Sequence, residues 1–310
     1  MLLVVAALAA GCSSDDGAAG PTASAPSTTA ATTTTTEASV PPVPDQPVEL
    51  PADRPIDVRV PDGLDPAEPA PLVVLLHGYG VSGEVQDAYL GMGDAAAERG
   101  MLFVAPDGTE NRSGRRFWNA TPACCGRGSD VDDVGYLTDV IAKVRQDHAV
   151  DPERIYLVGH SNGGFMSFAM ACARADTIAA IASIEAATFD DPADCDPSEP
   201  VAVLQVHGTA DTTIAYDGGT IAGEPYPSAP GTLAMWAAYD GCDPEADDPE
   251  VDPRQIVVDL PPAEVTVHRD SCDPGGHVEL WTQPDGVHIP PFTDDFSGQV
   301  LDWLLEHPAR

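Results

Sequence analysis

Ser161 stands in Gly159-His160-Ser161-Asn162-Gly163-Gly164, directly after the apolar run Ile155-Tyr156-Leu157-Val158. A serine hydroxyl is a poor nucleophile until a histidine takes its proton and a carboxylate orients that histidine. The acid should end a later apolar run, and Asp211 does so in His207-Gly208-Thr209-Ala210-Asp211, after Val201-Ala202-Val203-Leu204-Gln205-Val206. Asp217 is the fallback acid. Among eight histidines, His288 lies in Asp285-Gly286-Val287-His288-Ile289-Pro290, between the last apolar run and a terminal amphipathic segment, where a general base belongs. His77 and His207 precede glycines, and a structural role suits them better than proton transfer. His148 precedes the serine, His268 and His277 sit in strand patterns, and His307 is in the tail. His160 is the variable residue of the serine motif and is placed in the substrate pocket. Stabilising the oxyanion requires N–H groups aimed at it. His77-Gly78-Tyr79-Gly80 can turn the Tyr79 N–H inward beside that of Asn162, and the Tyr79 ring would line the acyl side. Chemistry of this kind uses no metal and no organic cofactor.

These residues need a frame. Leu72-Val73-Val74-Leu75-Leu76, Met101-Leu102-Phe103-Val104-Ala105, Ile155–Val158, Ile178–Ile184 and Val201–Val206 are short and apolar throughout, as strands buried on both faces of a parallel sheet are. Helical spacing of Val134, Leu137, Ile141 and Val144 predicts a helix over Asp132–Gln146. Phe165, Phe168, Ala169 and Cys172 predict another after the serine, and Val300, Trp303 and Leu304 a final one. Strand and helix alternate, which predicts an α/β fold with a mostly parallel central sheet and helices on both faces. Glu264–His268 and His277–Thr282 flank Asp273-Pro274-Gly275-Gly276 and read as a hairpin at the sheet edge. Asp132 and Asp133 open their helix, where capping is a sufficient role.

The ends of the chain differ from its middle. Residues 1–11 are an apolar run too short to span a bilayer and read as a signal peptide. Leu8-Ala9-Ala10-Gly11-Cys12 resembles a bacterial lipobox, which implies lipidation at Cys12 and an anchor on the outer face of the cell membrane; plain secretion is the alternative. Residues 12–47 are Ser, Thr, Ala and Pro rich and read as a disordered tether. The catalytic domain is then 48–310, expected to be monomeric. The net charge of −36 excludes nucleic acid as a partner, because phosphate binding needs Lys and Arg. Six cysteines besides Cys12 form no Cys-x-x-Cys pair, and in an exported chain they predict three disulfides.

Taken together, these segments resemble the polyhydroxybutyrate-depolymerase-like and feruloyl-esterase-like serine esterases of the carbohydrate esterase family 1 kind, on the α/β-hydrolase fold. The resemblance covers roughly residues 56–305 and rests on Leu76-His77-Gly78-Tyr79-Gly80, Phe117-Trp118-Asn119-Ala120 with Cys124-Cys125, Val131-Asp132-Asp133-Val134-Gly135-Tyr136, Gly159–Gly164, His207–Asp211 and Asp285–His288. It implies that Ser161, Asp211 and His288 form the triad, that Trp118 lies near the substrate pocket, and that Cys242 pairs with Cys272. The family follows its histidine with Trp-Pro; here Ile289-Pro290-Pro291 follows His288. Adjacent cysteines rarely bond to each other, because the eight-membered ring strains the peptide between them. Cys124 and Cys125 are therefore expected to pair outward, one with Cys172 and one with Cys195. The expected activity is carboxylic-ester hydrolysis through an acyl-enzyme, on a small ester, an oligoester or a feruloylated saccharide. A peptidase on the same fold and a non-catalytic surface-binding lipoprotein are the alternatives.

Overall fold

The five apolar runs become strands covered on both faces. The computed structural model describes residues 41–44, 46–126, 128–246 and 251–309, all within one compact unit spanning Ala38–Arg310. The signal peptide, most of the tether and Cys12 lie outside the described residues. The chain runs β1 (Val58–Arg59), β2 (Ala70–Leu76), α1 (Gly83–Leu90), α2 (Met92–Glu98), β3 (Leu102–Val104), a small hairpin of β4 (Thr109–Glu110) and β5 (Arg116–Phe117), then α3 (Asp133–Asp147). β6 (Val150–His160), α4 (Asn162–Ala173), β7 (Ala180–Ile184) and β8 (Ala202–Gly208) follow. A second hairpin, β9 (Gly219–Ile221) and β10 (Glu224–Tyr226), precedes α5 (Ala229–Tyr239), β11 (Glu264–Arg269), β12 (Val278–Gln283) and α6 (Phe296–Leu305).

Eight strands form the central sheet in the order β1-β3-β2-β6-β7-β8-β12-β11. Pairing is parallel from β3 to β12 and antiparallel only at the two edges. Alternation along β2 shows why it is apolar at each step. Leu72, Val74 and Leu76 face α3, α4 and α5, through Leu137, Phe168 and Leu233. Val73 and Leu75 face α2 and α6, through Met92 and Val300. The final hairpin is where the sequence predicts it, with β11 at the edge and β12 inside against β8. The short β1, α1, α2 and α5 carry no strong sequence period and were not anticipated. Before residue 48 the chain already touches the body, since Gln146 Nε2 donates to the carbonyls of Pro44 and Gln46. No helix among the described residues is long and apolar enough to cross a membrane.

Disulfides join Cys124 to Cys125, Cys172 to Cys195, and Cys242 to Cys272. The last pair agrees with the resemblance. The outward pairing expected for Cys124 and Cys125 is corrected. Cys172, near the end of α4, meets Cys195 with their Cα atoms 5.6 Å apart, and the two satisfy each other. The Cys124–Cys125 peptide is cis, and their Cα atoms are 3.0 Å apart.

The loop carrying Trp118 is held without outward disulfides. Asn162 Oδ1 accepts the Trp118 N–H at 2.7 Å, and Asn162 Nδ2 donates to the Trp118 carbonyl at 2.9 Å. Asp132 is the N-cap of α3, accepting from Gly135 N–H. Asp133 does more than cap: buried, it accepts from Asn119 N–H at 2.8 Å and pairs with Arg54 at 2.9 Å.

Candidate active site

Between β6 and α4 the chain turns at Ser161, whose φ of 55° and ψ of −120° lie where a residue with a Cβ is strained. Its neighbours leave no room for side chains. A Cβ on Gly159 would collide with the Gly163 carbonyl, and one on Gly163 with the Leu76 carbonyl. Three hydrogen bonds fix the bend: Ser161 N–H donates to the Ile184 carbonyl at 2.8 Å, and the Ser161 carbonyl accepts from Gly164 and Phe165. The side chain is lifted to the carboxyl edge of the sheet.

The loops after β8 and β12 arrive at the same edge, because these strands are parallel neighbours with Gln283 opposite Gly208. His288 Nε2 is 2.9 Å from Ser161 Oγ, and His288 Nδ1 is 2.7 Å from Asp211 Oδ2. An ionised carboxylate only accepts, so Nδ1 carries the proton and Nε2 is left to accept from the serine hydroxyl. Asp211 is itself held, with Oδ1 accepting from Thr213 N–H at 2.7 Å and Ile214 N–H at 3.0 Å. Burial pushes its carboxyl up, but the hydrogen bond and charge of His288 and the two backbone donors outweigh burial and lower it below the usual range.

Glu185 was missed by the sequence reading. It follows β7 with a φ of 51°, is buried, and accepts Gly208 N–H on both oxygens at 3.1 and 3.0 Å. Its carboxyl is raised well above the usual range, first by burial and then by the neighbouring Asp211 charge, against the pull of Gly208. The signal was present: a lone carboxylate inside the apolar stretch Ala179–Ala187. Two carboxyls side by side with opposite shifts favour one ionised and one protonated acid. His207 completes this wall. Gln205 Nε2 donates to its Nδ1 and its Nε2–H donates to the Ile214 carbonyl, so it is neutral, and burial lowers its pKa.

Asn162 follows Ser161 at the bend, and Tyr79 belongs to the loop after β2, which approaches Gly163 through the Leu76 and His77 carbonyls. Gly78 N–H is taken by Gln86 at 3.0 Å and Gly80 N–H by the Arg116 carbonyl at 2.8 Å. No hydrogen bond among the described residues uses the N–H of Tyr79 or Asn162. The Tyr79 side chain is 41% exposed, with its hydroxyl accepting from Asn111 at 2.8 Å. Val287 and Ile289, flanking His288, are also exposed. His77 is buried behind this loop, accepting Gly108 N–H on Nε2 and donating Nδ1–H to the Gly78 carbonyl. Burial lowers its pKa to about 4, so it is neutral.

Two residues placed in the substrate pocket stand elsewhere. Trp118 is fully buried; it donates Nε1–H to the His77 carbonyl at 3.0 Å and stacks on Tyr136. Its role is to dock the loop, and its size fills the core instead of the pocket. His160 is buried behind His288 against Tyr89. It donates Nε2–H to the His288 carbonyl at 2.9 Å, and burial lowers its pKa to about 4. It secures the loop that carries His288.

Comparison with known proteins agrees with this geometry. The alpha/beta hydrolase fold family matches residues 71–224. "Feruloyl esterase B" of Piromyces equi is 31% identical over 246 residues, covering 76% of this chain and 42% of that protein. "Feruloyl esterase C" of Emericella nidulans is 30% identical over 195 residues, covering 60% and 62%. The chain thus spans less than two thirds of the length of these relatives. Among solved structures, the acetyl xylan esterase from Aspergillus awamori superposes with a TM-score of 0.53 at 15% identity, covering 82% of this chain and 95% of that one. A thermostable esterase gives 0.53 at 14% identity, covering 82% and 59%. Sheet order, bend and family match together show the α/β-hydrolase fold, and in sequence the chain is similar to feruloyl esterases.

Proposed function

We propose that the chain is an exported serine carboxylic-ester hydrolase working through an acyl-enzyme. Ser161 Oγ attacks the ester carbonyl while His288 Nε2 takes its proton. Asp211 holds the imidazole and stabilises its charged form. The N–H groups of Tyr79 and Asn162 receive the oxyanion, supported by the amino end of α4. The alcohol leaves with the proton that His288 carries. Water, deprotonated by the same histidine, then releases the acid. The observation carrying this reading is the continuous hydrogen-bond chain Ser161–His288–Asp211, at 2.9 and 2.7 Å, on a strained bend.

The relatives favour a feruloyl ester over a hydroxyalkanoate polyester as the acyl class. Tyr79, in the loop after β2, and Val287 and Ile289, flanking His288, are exposed, and apolar surface of this kind suits an aromatic acyl group. Labelling by a fluorophosphonate probe at Ser161 tests the nucleophile, and absence of labelling rules the mechanism out. A panel of feruloyl, butyryl and hydroxybutyrate-oligomer esters, with the matching anilides, separates the acyl classes and the peptidase alternative. Export rests on the leader and the disulfides; lipidation at Cys12 is read by fatty-acid labelling of the native cell.

A further inference from the structure

At the other end of the final hairpin, a second group of imidazoles surrounds a buried carboxylate. Period two along an extended chain puts His277, Glu279 and Trp281 on one face, and the β11–β12 register sets His268 directly opposite Glu279. His268 Nδ1 is 3.2 Å, and His277 Nε2 3.6 Å, from Glu279 Oε2. One ligand atom from each of the three residues lies within 4.8 Å of the others. Four ligands about 2.05 Å from a zinc ion would stand about 3.3 Å apart, close to these spacings.

Two further observations point to a cation. First, His277 Nε2, the atom turned toward Glu279, is buried and has no hydrogen-bond partner, and His277 is only 8% exposed. A buried polar atom without a partner is costly. Second, the carboxylate is oriented as metal ligands are, by donors behind it: Trp281 Nε1–H donates to Oε1, and Trp303 Nε1–H donates to Oε2 at 3.2 Å. The other group of this composition, Glu185, His207 and Asp211, differs, because both nitrogens of His207 are already engaged.

We propose that His268, His277 and Glu279 form a binding site for one divalent late transition-metal ion, of which zinc is the type. Two imidazoles and one carboxylate supply three ligands of the kind zinc takes, with water as the fourth. The ion would clip β11 to β12 at the end opposite the serine, beside the Cys242–Cys272 disulfide. Its role is structural.

The test uses the full chain, made without a histidine tag, stripped with a chelator and titrated with Zn²⁺ by calorimetry at neutral pH. One equivalent is expected to bind, and the melting midpoint should rise by several degrees at saturation. His268→Gln and His277→Gln should each weaken binding at least tenfold. Metal-free His277→Gln should hydrolyse p-nitrophenyl butyrate within about twofold of the metal-free wild type. Co²⁺ bound to the wild type gives a reading independent of any variant, and intense tetrahedral visible bands are expected. Absence of saturable binding at about 100 μM Zn²⁺, binding unchanged in both variants, or only weak octahedral Co²⁺ bands would each overturn the site and leave a proton-bridged His–Glu cluster.

Discussion

Strand β12 has a buried carboxylate–imidazole group near each end, and the two do different things. Beyond its carboxyl end, Asp211 accepts from His288, whose other nitrogen meets a serine hydroxyl at 2.9 Å. Near its amino end, Glu279 accepts from His268, Trp281 and Trp303, and no hydroxyl is present among these partners. Roughly 13 Å of extended strand separates Glu279 from Gln283, at about 3.3 Å per residue. An imidazole beside a carboxylate is therefore not in itself an active site. What distinguishes the first group is a strained serine and two uncommitted N–H groups where negative charge would develop. The second group is flanked by Trp281, Trp303 and Arg254 and offers lone pairs instead of a nucleophile.

Removing the nucleophile should have the largest effect. Ser161→Ala is expected to lower p-nitrophenyl butyrate turnover by roughly 10⁴-fold or more, with the melting temperature nearly unchanged. Turnover within tenfold of wild type would take Ser161 out of the mechanism.

Next in size is the staple at the other end. Cys242 and Cys272 close a loop with a sequence separation of 30, which in the chain-entropy model stabilises by about 3–4 kcal/mol. Replacing both with serine should lower the melting temperature markedly. Because β12 leads directly to His288, turnover should fall as well. Unchanged stability would show that the hairpin does not need the bond.

Acid should then loosen the catalytic end. His77 and His160 have folded pKa values of about 4, against an ordinary 6.5, because burial disfavours their charged forms. Between those values the unfolded chain binds protons that the folded chain does not. Stability is therefore present above about 6.5 and is lost as the pH falls toward about 4. Melting curves across this range should show it, and a flat profile would contradict neutral His77 and His160.

The smallest effect is the most selective. Glu185 is raised, so the folded state holds a proton that the unfolded state has released. Its contribution is present at low pH and is lost as the pH rises through the folded value. Glu185→Gln keeps the shape without the titration, so its melting temperature should fall less than that of the wild type on alkaline titration. Parallel curves for the two proteins would mean that Glu185 does not titrate there.

Much of this molecule is legible without coordinates. Five apolar runs announce strands because burial on both faces leaves few polar positions, Ser183 and Gln205 among them. The glycines around Ser161 announce a bend because no side chain fits there. The order serine, acid, histidine follows from which strand end each residue occupies. Such features are local, so the chain states them by itself. Only the tertiary structure could decide the rest. Trp118 is in the core because Asn162, 44 residues away, holds both its N–H and its carbonyl. Cys125 bonds to its neighbour while Cys172 and Cys195 take each other. Glu185 reaches Asp211, and His268 meets Glu279, through strand register. Sequence period tells which residues are buried; the register and packing of distant elements decide what they touch, and no local pattern encodes that contact.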